Sequence, residues 1–335
     1  MKSEPLVTAI IPTFNRAGIV GEAIDSVLRQ TYSKVEVVVV DDGSTDGTPA
    51  MLRRYGNAIR VITQENAGPS AARNRGIASS NGSIVAFLDS DDLWLPEKLE
   101  RQVALLQRLD ASAPCCLCNI AMRWKTKESS SFESGFLKPA LDEGIWLNPD
   151  EVLATRFVLF TQGVAIRRAT LERIGGFDEK LRLLEDHELA LRLSAEGRWA
   201  FIAEPMVVWR ETKGSLYQNA KGEELKLAEV YVQILRRRLE TDADNPRGRV
   251  AKCLRWELDT TLRHIRALKI RDAGFWGAAP AGKALRKVEQ YRNSLLRRSP
   301  GYPRMKVERL DAPAAHDPDP ARMQRKAHSE ALENR

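Results

Sequence analysis

The chain has 335 residues, 43% hydrophobic and 29% charged, with a formal net charge of +7. These proportions are those of ordinary globular proteins and exclude an intrinsically disordered chain. No apolar run reaches the roughly 20 residues that cross a bilayer, and the N-terminal MKSEPLVTAIIPTF lacks the basic, apolar and cleavage-site parts of a secretory leader, so a cytoplasmic location is expected.

Charge is uneven along the chain. Residues 1–220 carry 26 Lys and Arg against 29 Asp and Glu, whereas residues 221–335 carry 26 against 16. From Val7 to about Ile202, short β-rich runs alternate with helical patterns, the signature of a layered α/β domain. LVTAIIP and VEVVVVDD are continuous apolar runs, as central strands covered on both faces require. Between them Val20, Ala23, Ile24, Val27 and Leu28 recur at helical spacing, completing a β-α-β unit. The pattern repeats through TPAMLRRY, IRVIT, GPSAARNRGIASS and SIVAFLD, and a helix is expected over 97–109.

The middle of the chain is less regular. CCLCNIAMRW predicts a strand, KTKESSSFESG a polar loop and LFTQGVAIRR another strand. Cys115, Cys116 and Cys118 have no histidine nearby and lack the ligand spacing of a zinc site, so they read as small buried side chains. A short helix stops at Gly175-Gly176, LEDHELALRLSAEG is a helix closed by Gly197, and WAFIA and MVVWR read as two final strands. Beyond residue 222, Leu227, Tyr231, Ile234 and Leu235 mark one amphipathic helix, Leu254, Leu258, Leu262 and Ile265 a second, and a third pattern covers 281–297. The expected organisation is a domain over 1–220, a basic helical extension over 221–300 and a disordered tail over 301–335.

Two acidic groups, DDGSTDGT and DSDD, each begin where a strand ends, and ligands of open parallel sheets sit at the carboxyl ends of strands. In extended backbone Asp89 and Asp91 point the same way, half of a Mg²⁺ or Mn²⁺ site that phosphate oxygens and water would complete. The other reading of DSDD is a solvated turn capping the next helix. Asp41 and Asp42 precede a glycine turn and could accept from a nucleobase or ribose, or simply belong to that turn. Arg73 and Arg75 lie near a helix start, where phosphate oxygens or solvent would suit them.

Taken in order, VTAIIPTFNR, VVVVDDGSTDGT, NAGPSAARNRG, FLDSDDLW, IGGFDE and LEDHELALRL resemble the family 2 glycosyltransferases, inverting enzymes of the GT-A fold, over about residues 5–210. The resemblance implies a Rossmann-like mixed sheet flanked by helices, followed here by the α-helical extension. It implies that Thr13, Asp42, Arg73 and Asn74 line the nucleotide pocket. It also implies that Asp89 and Asp91 form the D-x-D motif, holding Mn²⁺ or Mg²⁺ on the donor diphosphate, with Asp89 also touching the ribose. Asp186 falls at the position of the catalytic base. Its place in the first turn of a helix favours its ionised form, and Glu185 is expected to point about 100° away from it. One departure is the absence of a histidine between His187 and His264, where many relatives place one near the metal or leaving group. Arg210 or Lys213 is the candidate substitute.

The expected reaction is metal-dependent, inverting transfer of a hexose-type sugar from a nucleoside-diphosphate sugar to a saccharide or lipid-linked hydroxyl, in cell-surface polysaccharide, lipopolysaccharide or glycolipid synthesis. The alternative is a catalytically inactive nucleotide-sugar-binding module. The basic helices suggest peripheral attachment to an anionic membrane surface at the inner face of the plasma membrane, or a solvated hairpin. No nucleic-acid partner is expected, since Trp256 and Trp276 are not spaced as a stacking platform.

Overall fold

The apolar runs form the centre of a mixed sheet. In a computed structural model, which describes residues 4–109, 113–123, 128–158, 161–212, 223–272 and 303–310, β1 (Val7–Thr13) pairs in parallel with β2 (Val35–Asp41) and β4 (Ile84–Phe87). β3 (Arg60–Thr63) extends this parallel block beside β2. On the other side of β4, β9 (Val164–Arg167) runs antiparallel to both β4 and β6 (Cys115–Arg123). β10 (Trp199–Arg210) then lies parallel to β6, and β8 (Glu143–Trp146) runs antiparallel to β10.

Side-chain alternation divides the core between the two faces. Val7, Ala9 and Ile11 pack with α1 (Val20–Leu28) and α4 (Lys98–Arg108) on one face, and Ile10 packs with Val85, Phe87 and Leu117 on the other. The cysteines obey the same rule, Cys116 and Cys118 lying on the first face and Cys115 on the second. All three are buried free thiols whose pKa burial pushes up, so they are the inert packing groups expected. In α1 the apolar stripe is buried except at its end, where Leu28 is exposed.

Three expectations are corrected. WAFIA and MVVWR are one strand, not two: β10 passes through Pro205 with register shifts on both sides, the irregularity that lets a residue without an N–H sit within a sheet. Past that point Val207 and Val208 also pair with β5 (Leu93–Trp94), which brings Arg210 beside the acidic turn. Of the polar loop KTKESSSFESG, residues 128–134 form a short strand, β7 (Glu128–Ser130), against β6 and a helical turn, α5 (Ser131–Ser134), capped by Ser130. The tail is not disordered from residue 301, because Val307–Glu308 forms β11 on the open edge of β8, and Arg156 and Asn148 bond the backbone of Pro303 and Arg304. Unpaired edge groups of β8 and the apolar surface near Trp146 make this docking favourable. The remainder of the tail and the helical pattern over 281–297 lie outside the described residues.

The two helices beyond residue 222 are α9 (Glu224–Thr241) and α10 (Arg249–Asp272), packed on each other. Leu235 and Leu254 bury Ala154 just after α6 (Pro149–Leu153), joining the hairpin to the sheet domain. No helix among the described residues is long and apolar enough to cross a membrane.

Candidate active site

Parallel pairing sets where the polar residues emerge. β1, β2 and β4 run side by side in one direction, so Thr13, Asp41-Asp42 and the turn Asp89–Asp92 leave the sheet along one edge. α3 (Pro69–Ala78) packs on β1 and β2, and α8 (Glu185–Ser194) begins across the crevice.

Arg73 of α3 ties the two sides together. Its Nη2 donates to Asp89 Oδ1 at 2.7 Å and its Nη1 to Glu185 Oε1 at 3.0 Å, with the guanidinium carbon 5.2 Å from the Phe177 ring centre. Burial works against this charge, but Asp89 and Glu185 outweigh it and hold the pKa above the usual arginine value. Asp89 Oδ2 accepts from Gln162 Nε2, so both oxygens of the first D-x-D carboxylate are engaged.

Asp91 accepts through Oδ2 from Thr212 Oγ1, and burial, then the charge of Asp89, raise its pKa. Asp92 turns inward: its Oδ1 accepts from the Arg210 backbone N–H at 2.9 Å, while Oδ2 is buried with no partner among the described residues. Burial, then Asp89 and Asp91, push its pKa well above the carboxylate range. Among the described residues no group of three or more His, Cys, Asp and Glu is arranged to hold a metal alone. The carboxylates of Asp89 and Asp91, the second held partly by the Thr212 hydroxyl, nevertheless fit a Mg²⁺ or Mn²⁺ ion, which takes one or two protein oxygens and fills its shell with phosphate and water. Asp89 and Asp91 are the residues that would hold it.

Asp186 lies in the first turn of α8, accepting from the His187 N–H at 2.7 Å. Burial, then Glu185, raise its pKa to about 7, while the His187 N–H and Arg73 act in the opposite direction and the charge of Asp89 adds to the rise. The helix terminus favours the ionised form of Asp186, as expected from the sequence, but desolvation and an adjacent carboxylate outweigh it. Glu185 does not turn away either, because the Arg73 guanidinium reaches it across the crevice.

The other predicted residues are placed as follows. Thr13 closes β1 with its Oγ1 buried and unpaired, and its carbonyl accepts from Asp42 N. Asp42 anchors the loop before α3: Oδ1 accepts from Gln64 Nε2 and Ala67 N at 2.7 and 2.9 Å, and Oδ2 from Gly68 N at 2.8 Å. Asn74 is consumed by the turn before α8, bonding both the N–H and carbonyl of Phe177 at 2.9 Å and reaching Glu179. Arg210 bonds Glu22, the Asp91 carbonyl and, through its own N–H, Asp92, so it is a strut for the acidic turn rather than a free cation. Lys213 lies outside the described residues. Gln162, Thr212 and the active placement of Glu185 escaped sequence reasoning; Gln162 and Thr212 belong to no motif and reach the acids from 73 and 121 residues away.

The sequence model of Glycosyl transferase family 2 matches residues 8–160. An uncharacterized glycosyltransferase of Rickettsia typhi is 34% identical over 188 residues, 55% of this chain and 57% of that protein, so the chain spans little more than half of that relative's length. EpsJ of Bacillus subtilis, also an uncharacterized glycosyltransferase, is 32% identical over 238 residues, 66% of this chain and 67% of the relative. Among solved structures, the mannosyltransferase PcManGT from Pyrobaculum calidifontis, in complex with GDP-Man and Mn²⁺, has a TM-score of 0.51 at 23% identity, over 90% of this chain and 83% of that one. With the mixed sheet, the acidic strand ends and these matches in agreement, the chain belongs to glycosyl transferase family 2, on the GT-A fold.

Proposed function

We propose that this protein transfers a sugar from a nucleoside-diphosphate sugar to an acceptor hydroxyl with inversion at the anomeric carbon. The observation that carries the reading is Arg73, whose bonds to Asp89 and Glu185 set the D-x-D turn and the first turn of α8 on one crevice. Asp186, with its pKa near 7, accepts the acceptor's proton as the hydroxyl oxygen bonds to the anomeric carbon and the bond to the diphosphate breaks. Asp89 and Asp91 hold the cation, whose chemistry is to neutralise charge on the departing diphosphate. Thr13 and the loop anchored by Asp42 form the nucleotide side of the crevice, with Arg73 and Asn74 positioning rather than contacting the donor. The catalytic domain is residues 1–220, and the basic extension over 221–300 serves the acceptor side or an anionic membrane surface. Saccharide and lipid-linked acceptors of cell-surface polysaccharide or glycolipid synthesis suit such an arrangement.

Incubating the purified chain with a panel of nucleotide sugars and Mn²⁺ tests this, with hydrolysis or transfer read alongside nucleotide binding by calorimetry. Asp186→Asn should lose on the order of 10²-fold or more in turnover and keep nucleotide affinity, whereas Asp91→Ala should lose Mn²⁺-dependent affinity. An active Asp186→Asn protein would remove the assigned base. Binding without any turnover by the unmodified protein would instead favour the non-catalytic module.

A further inference from the structure

The proposed reaction uses Asp89, yet nothing in it accounts for the buried polar apparatus behind that residue. Gln162 is 3% exposed and spends one amide hydrogen on Asp89 Oδ2, while its Oε1 has no partner among the described residues. A buried amide left half satisfied works against stability, so packing alone does not account for a glutamine here. Three donors clamp the backbone of Gln162 and Gly163. Trp94 Nε1 donates to the Gln162 carbonyl at 3.1 Å; Gln102 Nε2 donates to the Gly163 carbonyl at 2.8 Å; the Cys118 thiol donates to the same carbonyl at 3.2 Å. Gln102 in turn accepts from Lys98 Nζ at 2.8 Å, and that fully buried ammonium lies 4.0 Å from the Trp94 ring centre. Position 163 has no room for a side chain, since a Cβ there would come within 2.7 Å of the Cys118 carbonyl oxygen.

Resting on the proposed donor site, we propose that Gln162 is a positioning residue: the Trp94, Lys98 and Gln102 platform holds its amide against Asp89, opposite Arg73, and so fixes the orientation in which that carboxylate meets the divalent cation. Groups that orient a metal ligand typically change metal affinity 10- to 100-fold when removed.

The test titrates Mn²⁺ alone into the purified chain, following the free ion by electron paramagnetic resonance, with the melting temperature measured on the same samples. Gln162→Met should fold and bind Mn²⁺ about 10-fold or more weakly. Leu235→Ala, which opens the cluster of Leu235, Leu254 and Ala154 outside this platform, should lower the melting temperature and leave Mn²⁺ affinity unchanged. Should Gln162→Met not fold, Trp94→Phe keeps an aromatic side chain but removes the indole N–H on the Gln162 carbonyl, and weaker Mn²⁺ binding is again expected. Unchanged affinity in the folded variant overturns the positioning role while leaving the donor site standing. An unmodified protein that does not bind Mn²⁺ also overturns the positioning role, and the donor site is then judged by the nucleotide binding and turnover described above.

Discussion

Asp186 shows how a neighbour can reverse the effect of a helix terminus. An exposed aspartate in a first helical turn is held ionised, whereas this one is desolvated beside Glu185 and titrates near 7. Turnover should therefore rise with pH through about 7 and level off above it, as measured by donor hydrolysis across pH 5–9. Stability should follow the opposite course. A carboxyl whose folded pKa exceeds its unfolded value of about 3.9 stabilises the fold below that value and loses the contribution as pH rises through 7. Asp186→Asn should then be more stable than the unmodified chain at pH 8, by on the order of 2–4 kcal/mol, and nearly equal to it at pH 4, as read by urea unfolding. A variant no more stable at pH 8 would show that Asp186 is well solvated.

Helix α8 does two jobs, and its first turn shows how. His187 follows the candidate base, is 1% exposed with neither ring nitrogen paired among the described residues, and lies 5.5 and 5.4 Å from the ring centres of Phe157 and Tyr231. Burial lowers its pKa to about 4, so it stays neutral and acts as an aromatic contact between α8 and α9. Leu235, fully buried against Ala154 and Leu254, makes the companion contact to α6. Leu235→Ala should cost about 2–4 kcal/mol in urea unfolding, with the loss appearing in the main transition because the hairpin and sheet share this cluster. A separate early transition with the main one unshifted would show instead that the hairpin folds as an independent unit.

Charge is arranged by region. The sheet domain places its acids at strand ends, where Arg73 and Arg210 compensate them, while α10 exposes Lys252, Arg255, Arg263 and Arg266, and among the described residues its ion pairs are Arg263 with Asp259, Lys269 with Glu229 and Arg249 with Glu151. If these cations attach the protein to an anionic surface, co-sedimentation with phosphatidylserine vesicles should be strong at about 50 mM salt and fall several-fold by about 300 mM, as the screening length shortens. Replacing Lys252, Arg255 and Arg266 by Gln should remove that salt-sensitive fraction without changing donor hydrolysis in solution. Retention of the triple variant on vesicles would place attachment elsewhere.

Much of this protein was legible in one dimension because its signals are local. Val7–Thr13 and Val35–Asp41 announce central strands by continuous apolarity, whereas the extended backbone expected at Asp89 and Asp91 is instead a turn, closed by the Asp92 N–H on the Asp89 carbonyl. Helical spacing likewise marked α9 and α10. What the chain order could not convey is which donors meet those acids, because Gln162, Thr212 and Arg210 arrive from distant segments through the pairing of β9 with β4 and β6 and of β10 with β5 and β6. Nor could it show that Pro205 lies inside a continuous strand or that Val307 closes the sheet edge, since both depend on a partner strand's open hydrogen bonds. Residue periodicity determines which groups each element presents; only the packing of elements from across the chain determines how far those groups are desolvated and what they bond, and with that the protonation of Asp186.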